Sequence, residues 1–166
     1  MKDLPVRKKI RLTGYDYSQA NAYFITICIE DRHEILGNVV GDGVLDVPTV
    51  QLSKYGAVVE KRIKEISENY NHIQIQKYVI MPNHVHILML VLNNENGTSR
   101  TPSPTNAVIP SFVSTFKRFV HKDCGFSLFQ RSYHDHIIRN ENEYHKIWQY
   151  IDTNPMKWQD DYYFVP

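Results

Sequence analysis

The chain has 166 residues, of which 42% are hydrophobic and 22% charged, and its net charge is only +1. That length suits a single domain, 1–166, with a real core, and the ordinary apolar content excludes general disorder. The weak net charge argues against a protein that coats nucleic acid through bulk electrostatics, although it leaves room for local basic patches.

Lys2, Arg7, Lys8, Lys9 and Arg11 make a basic N-terminal arm over 1–11. The two cysteines, Cys28 and Cys124, lie far apart in no metal-ligand spacing, which suits a reducing cytoplasm and no disulfide framework. The N-terminus lacks a signal-peptide run. No stretch approaches the roughly 20 apolar residues of a membrane span, so the expectation is a cytoplasmic protein with no membrane partner.

Residues 23–29 (YFITICI) are β-branched and aromatic and predict a buried strand, with 35–40 as a candidate pairing partner. Gly41-Asp42-Gly43 signals a turn before a strand through 44–52, in which Pro48 marks an edge or a break. Val59, Ile63, Ile66 and Tyr70 then recur at helical spacing and predict an amphipathic helix over 54–70. Strands follow at 73–80 and 84–91, joined by Met81-Pro82-Asn83, a link short enough to make them antiparallel.

Residues 93–106 hold no large apolar side chain and read as a mobile loop. A second helix carries Ile109, Phe112, Val113, Phe116, Phe119 and Val120 on its apolar stripe. Its other face carries Ser111, Ser114, Lys117, Arg118 and Lys122. A strand over 129–138 precedes a last helix that opens on Asn140 with Glu143, a capping-box pattern, and ends near Asn154, ahead of Pro155. The order predicts an α+β, ferredoxin-like antiparallel sheet with helices packed on one face, plus a C-terminal helix. Such a fold hosts many functions, so chemistry has to be argued from the site.

His84 and His86 sit at i and i+2 of a strand and project to the same face, while Val85 points to the core. Two imidazoles side by side on a rigid strand can hold adjacent positions of a metal ion. His134-Asp135-His136 has the same spacing. Its middle residue is a poor core anchor, and that favours the first pair. On the last helix, Tyr144, Ile147, Trp148 and Ile151 form the apolar stripe. Tyr150 falls on its flank, where the ring packs while the hydroxyl stays reachable, and Asn154 follows four residues on. A phenol can act as a nucleophile, and a divalent ion on the phosphate would assist it. With eleven tyrosines in the chain, a structural role is the commoner fate of any one of them.

The segments YVIMPNHVHILM and FQRSYHDHIIRNENEYHKIWQYIDTNPMKW together resemble the HUH-class single-tyrosine transposases of small bacterial insertion sequences, closest to the REP-associated group. The resemblance runs from about residue 12 to 158 and rests on two motifs in the right order and separation. It implies Tyr150 as the catalytic nucleophile and His84, His86 and Asn154 as metal ligands. It further implies cleavage and rejoining of single-stranded or hairpin DNA through a 5′-phosphotyrosine. The family uses Mg²⁺ or Mn²⁺, and two imidazoles with a carboxamide suit Mn²⁺ or Zn²⁺ at least as well. Both homodimers and monomers occur in the family, which acts in bacteria at the nucleoid. DNA as substrate gives weight to Lys117, Arg118, Lys122, Arg131 and Arg139 as phosphate contacts. Three rivals remain: a non-catalytic nucleic-acid-binding module, a domesticated or inactive transposase, and a metal hydrolase. The last expects a carboxylate near the histidines, and the sequence shows none beside them.

Overall fold

The computed structural model describes residues 21–41, 46–70, 72–92 and 108–165. The basic arm, the loop at 93–106 and most of the glycine turn after Gly41 lie outside the described residues.

Among the described residues six strands and three α-helices follow in order: β1 (Asn21–Cys28), β2 (Gly37–Val40), β3 (Thr49–Leu52), α1 (Lys54–Asn69), β4 (Ile73–Met81), β5 (His84–Val91), α2 (Val108–Cys124), β6 (His134–Ile138) and α3 (Glu141–Thr153). Four strands form an antiparallel sheet in the order β4-β5-β1-β6, which is the ferredoxin-like arrangement expected from the element order.

Tyr23, Ile25 and Ile27 of β1 and Val85, Ile87 and Met89 of β5 point to one face. There they meet Val59, Ile63 and Ile66 of α1 and the Ile109, Phe112, Phe116 and Val120 stripe of α2. Each such side chain contributes about 1.5–3 kcal/mol on burial, and this face is the main core. The opposite face carries Ala22, Phe24, Val79 and Leu88, covered by Tyr144, Ile147, Trp148 and Ile151 of α3. The first two helices therefore share one face and the C-terminal helix covers the other.

A bulge in β4 reconciles its two halves. Ile73 and Ile75 face the main core, the register shifts between Ile75 and Lys77, and Tyr78 and Ile80 then face it. The extra residue flips the alternation. It leaves Lys77 on the α3 side, where its ammonium pairs with Asp152 at 2.6 Å and lies 4.2 Å from the Trp148 ring centre.

Three expectations are corrected. Residues 37–40 pair with β3 in a separate two-stranded ribbon rather than with β1. Pro48 directly precedes β3, so a strand through 44–52 is cut to Thr49–Leu52. The strand expected over 129–138 is only His134–Ile138, with an isolated bridge between Ile29 and Phe129. The reason is Lys117, whose Nζ donates to the carbonyls of Gln130 (2.7 Å) and Ser132 (2.8 Å) and so takes them away from a ladder.

Helix ends follow their side chains. The Ser53 hydroxyl accepts from the amides of Tyr55 and Gly56 at the start of α1. Asn140 accepts from the Glu143 amide at the start of α3, while Glu143 reaches back to the Arg139 amide and to His136 Nε2 at 2.6 Å. His136 thus ties β6 to the first turn of α3.

Candidate metal and nucleophile site

β4 and β5 are joined by Pro82 and Asn83 alone, and β5 begins on His84. The two histidines project from a central strand to the α3 face and are both buried. Their Nε2 atoms stand 3.0 Å apart.

The outer nitrogens are anchored. Asn83 Nδ2 donates to the carbonyls of Tyr163 (2.8 Å) and Arg32 (3.3 Å). That leaves Asn83 Oδ1 as the acceptor for His84 Nδ1 at 2.8 Å. His84 therefore carries its proton on Nδ1 and presents a lone pair on Nε2. His86 Nδ1 lies 2.8 Å from the Thr26 hydroxyl. Burial, with the Arg32 charge adding to it, lowers the His84 pKa to about 3. Burial and the neighbouring His84 push His86 well below its ordinary value, against the opposing pull of Asp161. Both rings are neutral at pH 7, the form that ligates a metal.

Tyr150 reaches this pair from α3. Its hydroxyl is 3.2 Å from His86 Nε2 and donates to Asp161 Oδ2, also at 3.2 Å. The residue is 38% exposed, so the phenol borders solvent on one side. Burial first, then the Asp161 charge and hydrogen bond, raise its pKa and keep it protonated.

Asn154 follows α3 in helical conformation, and a 3₁₀ segment, Pro155–Asp160, turns the chain back over the site. Trp158 and Tyr163 lie against the histidines, with the Tyr163 ring centre 4.6 Å from that of His84. Asn154 Nδ2 donates to Asp161 Oδ2 at 2.8 Å.

A divalent ion fits these residues on three observations. Two ring nitrogens facing each other at 3.0 Å have the separation of neighbouring ligands bonded at about 2.0–2.1 Å to one ion. Asp161 places a carboxylate with them, all three ligand atoms lying within 4.8 Å of one another. The buried Asn154 Oδ1 has no hydrogen-bond partner among the described residues, an arrangement that costs about 1–3 kcal/mol if left unpaired.

Asp161 was missed by the sequence reading. It sits in a run with no periodicity, and only the Asn154-Pro155 break hints that the chain reverses there. Arg32 was missed as well. Asp31 and Arg32 hold φ of 53° and 57°, left-handed values costing about 1–3 kcal/mol each in non-glycine residues. This local strain places the Arg32 guanidinium 5.4 Å from the Tyr162 ring centre and 5.5 Å from that of Tyr163.

The second His-x-His motif shares the face but not the site. His134 is opposite Thr26, which is itself opposite His86, so β1 separates the two pairs. Asp135 points to the main core, with Oδ1 buried and unpartnered among the described residues.

The expected phosphate contacts do not gather at the histidines. α2 lies across the sheet from them, which puts Arg118 and Lys122 on the far side. The Lys117 ammonium is spent on backbone carbonyls. Arg131 and Arg139 are exposed near the ends of β6.

A His-hydrophobic-His pair on a central strand thus faces a tyrosine of α3, the arrangement expected from the resemblance to the single-tyrosine transposases. No protein-family profile matches the chain. An uncharacterized Haemophilus influenzae protein is 31% identical over 174 residues, covering 96% of this chain and 93% of its own. A second H. influenzae protein, described as a candidate REP-associated tyrosine transposase, is 24% identical over 146 residues, or 86% of this chain and 74% of its own. Among solved structures, a REP-associated tyrosine transposase bound to a REP hairpin superposes with a TM-score of 0.59 at 18% identity, over 83% of this chain and 68% of that one. The chain belongs to one family with its 31%-identical relative and is a homologue of the REP-associated tyrosine transposases.

Proposed function

We propose that this protein is a transposase that cleaves and rejoins single-stranded DNA, acting on hairpin or palindromic DNA through a covalent tyrosine intermediate. The observation that carries the reading is the Tyr150 hydroxyl, held 3.2 Å from His86 Nε2 at the mouth of a neutral dihistidine pair. His84 and His86 would hold a divalent ion through Nε2, with an oxygen from Asp161 or Asn154 completing the set. When bound, such an ion polarises a phosphodiester and stabilises the charge that builds during in-line displacement.

The protein's own residues do the rest. α3 presents the phenol on the exposed side, where a strand can approach. Tyr150 Oη forms a bond to phosphorus, the bond from phosphorus to the 3′ oxygen breaks, and the product pair is a 5′-phosphotyrosine and a 3′-hydroxyl. The phenolic proton passes to the Asp161 carboxylate, already its hydrogen-bond acceptor. The leaving 3′ oxygen takes up a proton from solvent water on the exposed side of the site, and the reverse attack by a 3′-hydroxyl, which gives up its proton to solvent, rejoins DNA without ATP and frees the Tyr150 phenol. Lys117 is the weakest of the expected phosphate contacts, while Arg131 and Arg139, exposed near the two ends of β6, keep that role.

The test is incubation of labelled single-stranded DNA hairpins with the protein and Mn²⁺, followed by a denaturing gel. A slow-migrating covalent adduct is expected, and Tyr150→Phe abolishes it. An adduct that survives in Tyr150→Phe would overturn the nucleophile. Asp161 also supplies the carboxylate that a metal hydrolase requires, and this favours one alternative: cleavage that leaves no adduct and persists without the phenol. Binding without cleavage identifies a domesticated or inactive DNA-binding protein on the same fold.

A further inference from the structure

Beside the histidines lies a group that the chemistry above leaves unused. Arg32 leaves the end of β1 on a strained left-handed turn and lays its guanidinium between Tyr162 and Tyr163. Among the described residues the guanidinium makes one hydrogen bond, a long one of 3.4 Å to the Tyr162 carbonyl, and no carboxylate pairs with it. An arginine carries five N–H donors in a fixed fork that matches a phosphate, so most of its capacity is unspent.

Two routes tie this arginine to the site. Its carbonyl accepts from Asn83 Nδ2, and the same amide fixes His84. Its guanidinium lies over the Tyr163 ring, whose neighbours include His84 and His86, at 4.6 and 5.9 Å between ring centres. The Arg32 charge also lowers the His84 pKa, in keeping with this proximity. Tyr162 stands beside it, 80% exposed. Arg32 and the edge-on Tyr163 ring back it on the protein side, and much of its ring is open to solvent. A large aromatic ring that is rigidly backed and otherwise bare is a stacking platform for an unpaired base.

We infer that Arg32 and Tyr162 form a nucleotide subsite beside the dihistidine, in which the guanidinium binds a phosphodiester of the single strand and the Tyr162 ring stacks on its base. This rests on the DNA-strand reading proposed above. The subsite holds the strand flanking the reacting phosphate, so its two residues position substrate and take no part in bond breaking. The strain at Asp31 and Arg32 is then spent on aiming one side chain, as strained backbone often is at functional sites.

The experiment measures binding of a fluorescein-labelled, mixed-sequence single-stranded oligonucleotide by anisotropy, without added metal, across a salt series. Loss of one phosphate contact lowers the slope of log K against log salt by about 0.7 for a single strand. Arg32→Gln is expected to show that reduced slope, and Arg32→Lys to retain it with weaker binding. Tyr162→Ala should weaken binding about ten-fold with little change in slope, while Tyr162→Phe and Tyr162→Trp bind like the parent. Thermal unfolding of each variant guards against a folding defect, and Arg32→Lys and Tyr162→Phe keep the test informative if a harsher variant is unstable. Parent-like affinity and slope in Arg32→Gln and Tyr162→Ala would overturn the subsite and leave the transposase reading intact. A parent protein that binds no single-stranded DNA overturns both.

Discussion

The Thr26 hydroxyl and His86 Nδ1 stand 2.8 Å apart on directly opposed residues of two central strands. Thr26 thereby orients a ring whose other nitrogen faces His84 and Tyr150. For His86 to ligate a metal through Nε2 its proton would have to lie on Nδ1, with the Thr26 hydroxyl as its acceptor. Partners of this kind cost about 10–100-fold in metal affinity when removed. Thr26→Val, which keeps the shape and deletes the hydroxyl, is expected to weaken Mn²⁺ binding about ten-fold in calorimetric titration. An unchanged affinity would mean that the hydroxyl only fills space.

The same titration distinguishes the ligands. His84→Ala and His86→Ala should abolish Mn²⁺ binding, and His134→Ala should leave it unchanged, because β1 separates His134 from the pair. Asp161→Asn is expected to weaken binding at least ten-fold if the carboxylate ligates. Asn154→Ala with full affinity, alongside a damaged Asp161→Asn, would assign the third ligand to the carboxylate.

Acid should destabilise the metal-free protein through the same pair. Burial holds His84 at about 3 and His86 well below 6.5, whereas both return to about 6.5 on unfolding. The folded pKa values are depressed, so the unfolded chain binds more protons in the window between. The contribution is complete above about 6.5 and is lost as the pH falls toward the folded values, at about 1.4 kcal/mol per pH unit for each proton. The unfolding midpoint should be flat near neutrality and fall below about pH 6.5. The double substitution of His84 and His86 by Ala should flatten that fall. Equal acid sensitivity in parent and double variant would show that neither ring is held neutral.

Gly56 tests the packing that sets α1. A Cβ built there would stand 2.0 Å from the Leu36 carbonyl oxygen, which is backbone and cannot swing aside. Alanine is worth up to about 1 kcal/mol over glycine inside a helix, yet overpacking commonly costs about 1–3 kcal/mol. Chemical denaturation of Gly56→Ala should therefore show a net loss of stability. A gain would mean that α1 can slide away from the β2 end.

Lys117→Met should destabilise the protein by about 1–3 kcal/mol, since the carbonyls of Gln130 and Ser132 lose their donor. The salt dependence of DNA binding should not change. A flatter slope would return this lysine to the set of phosphate contacts.

The sheet, its two covering helices and the C-terminal helix were legible because their signals are local. YFITICI and HVHILMLV are β-rich runs, and the stripes of α1 and α2 repeat at helical spacing. The bulge at Ile75–Lys77 and the shortened β6 were not legible, since each depends on a distant partner such as the Lys117 ammonium. Tyr150 could be placed on the flank of its helix by angle alone, and its hydroxyl does reach His86. Asp161, Arg32 and Tyr162 were not legible because they come to the histidine side only after the chain turns at Pro155 and at the left-handed pair Asp31-Arg32. No periodicity encodes either bend.

One amide has a wider reach than its size suggests. Asn83 can be oriented only while the carbonyls of Arg32 and Tyr163, from opposite ends of the described chain, are both docked against it. The proton's address on His84 is thus written by residues remote from it in sequence. Were the C-terminal segment to lift, the amide would lose its stronger anchor and become free to rotate. The imidazole could then exchange one tautomer for the other, and nitrogen chemical shifts of the ring would register that docking event without any substrate present.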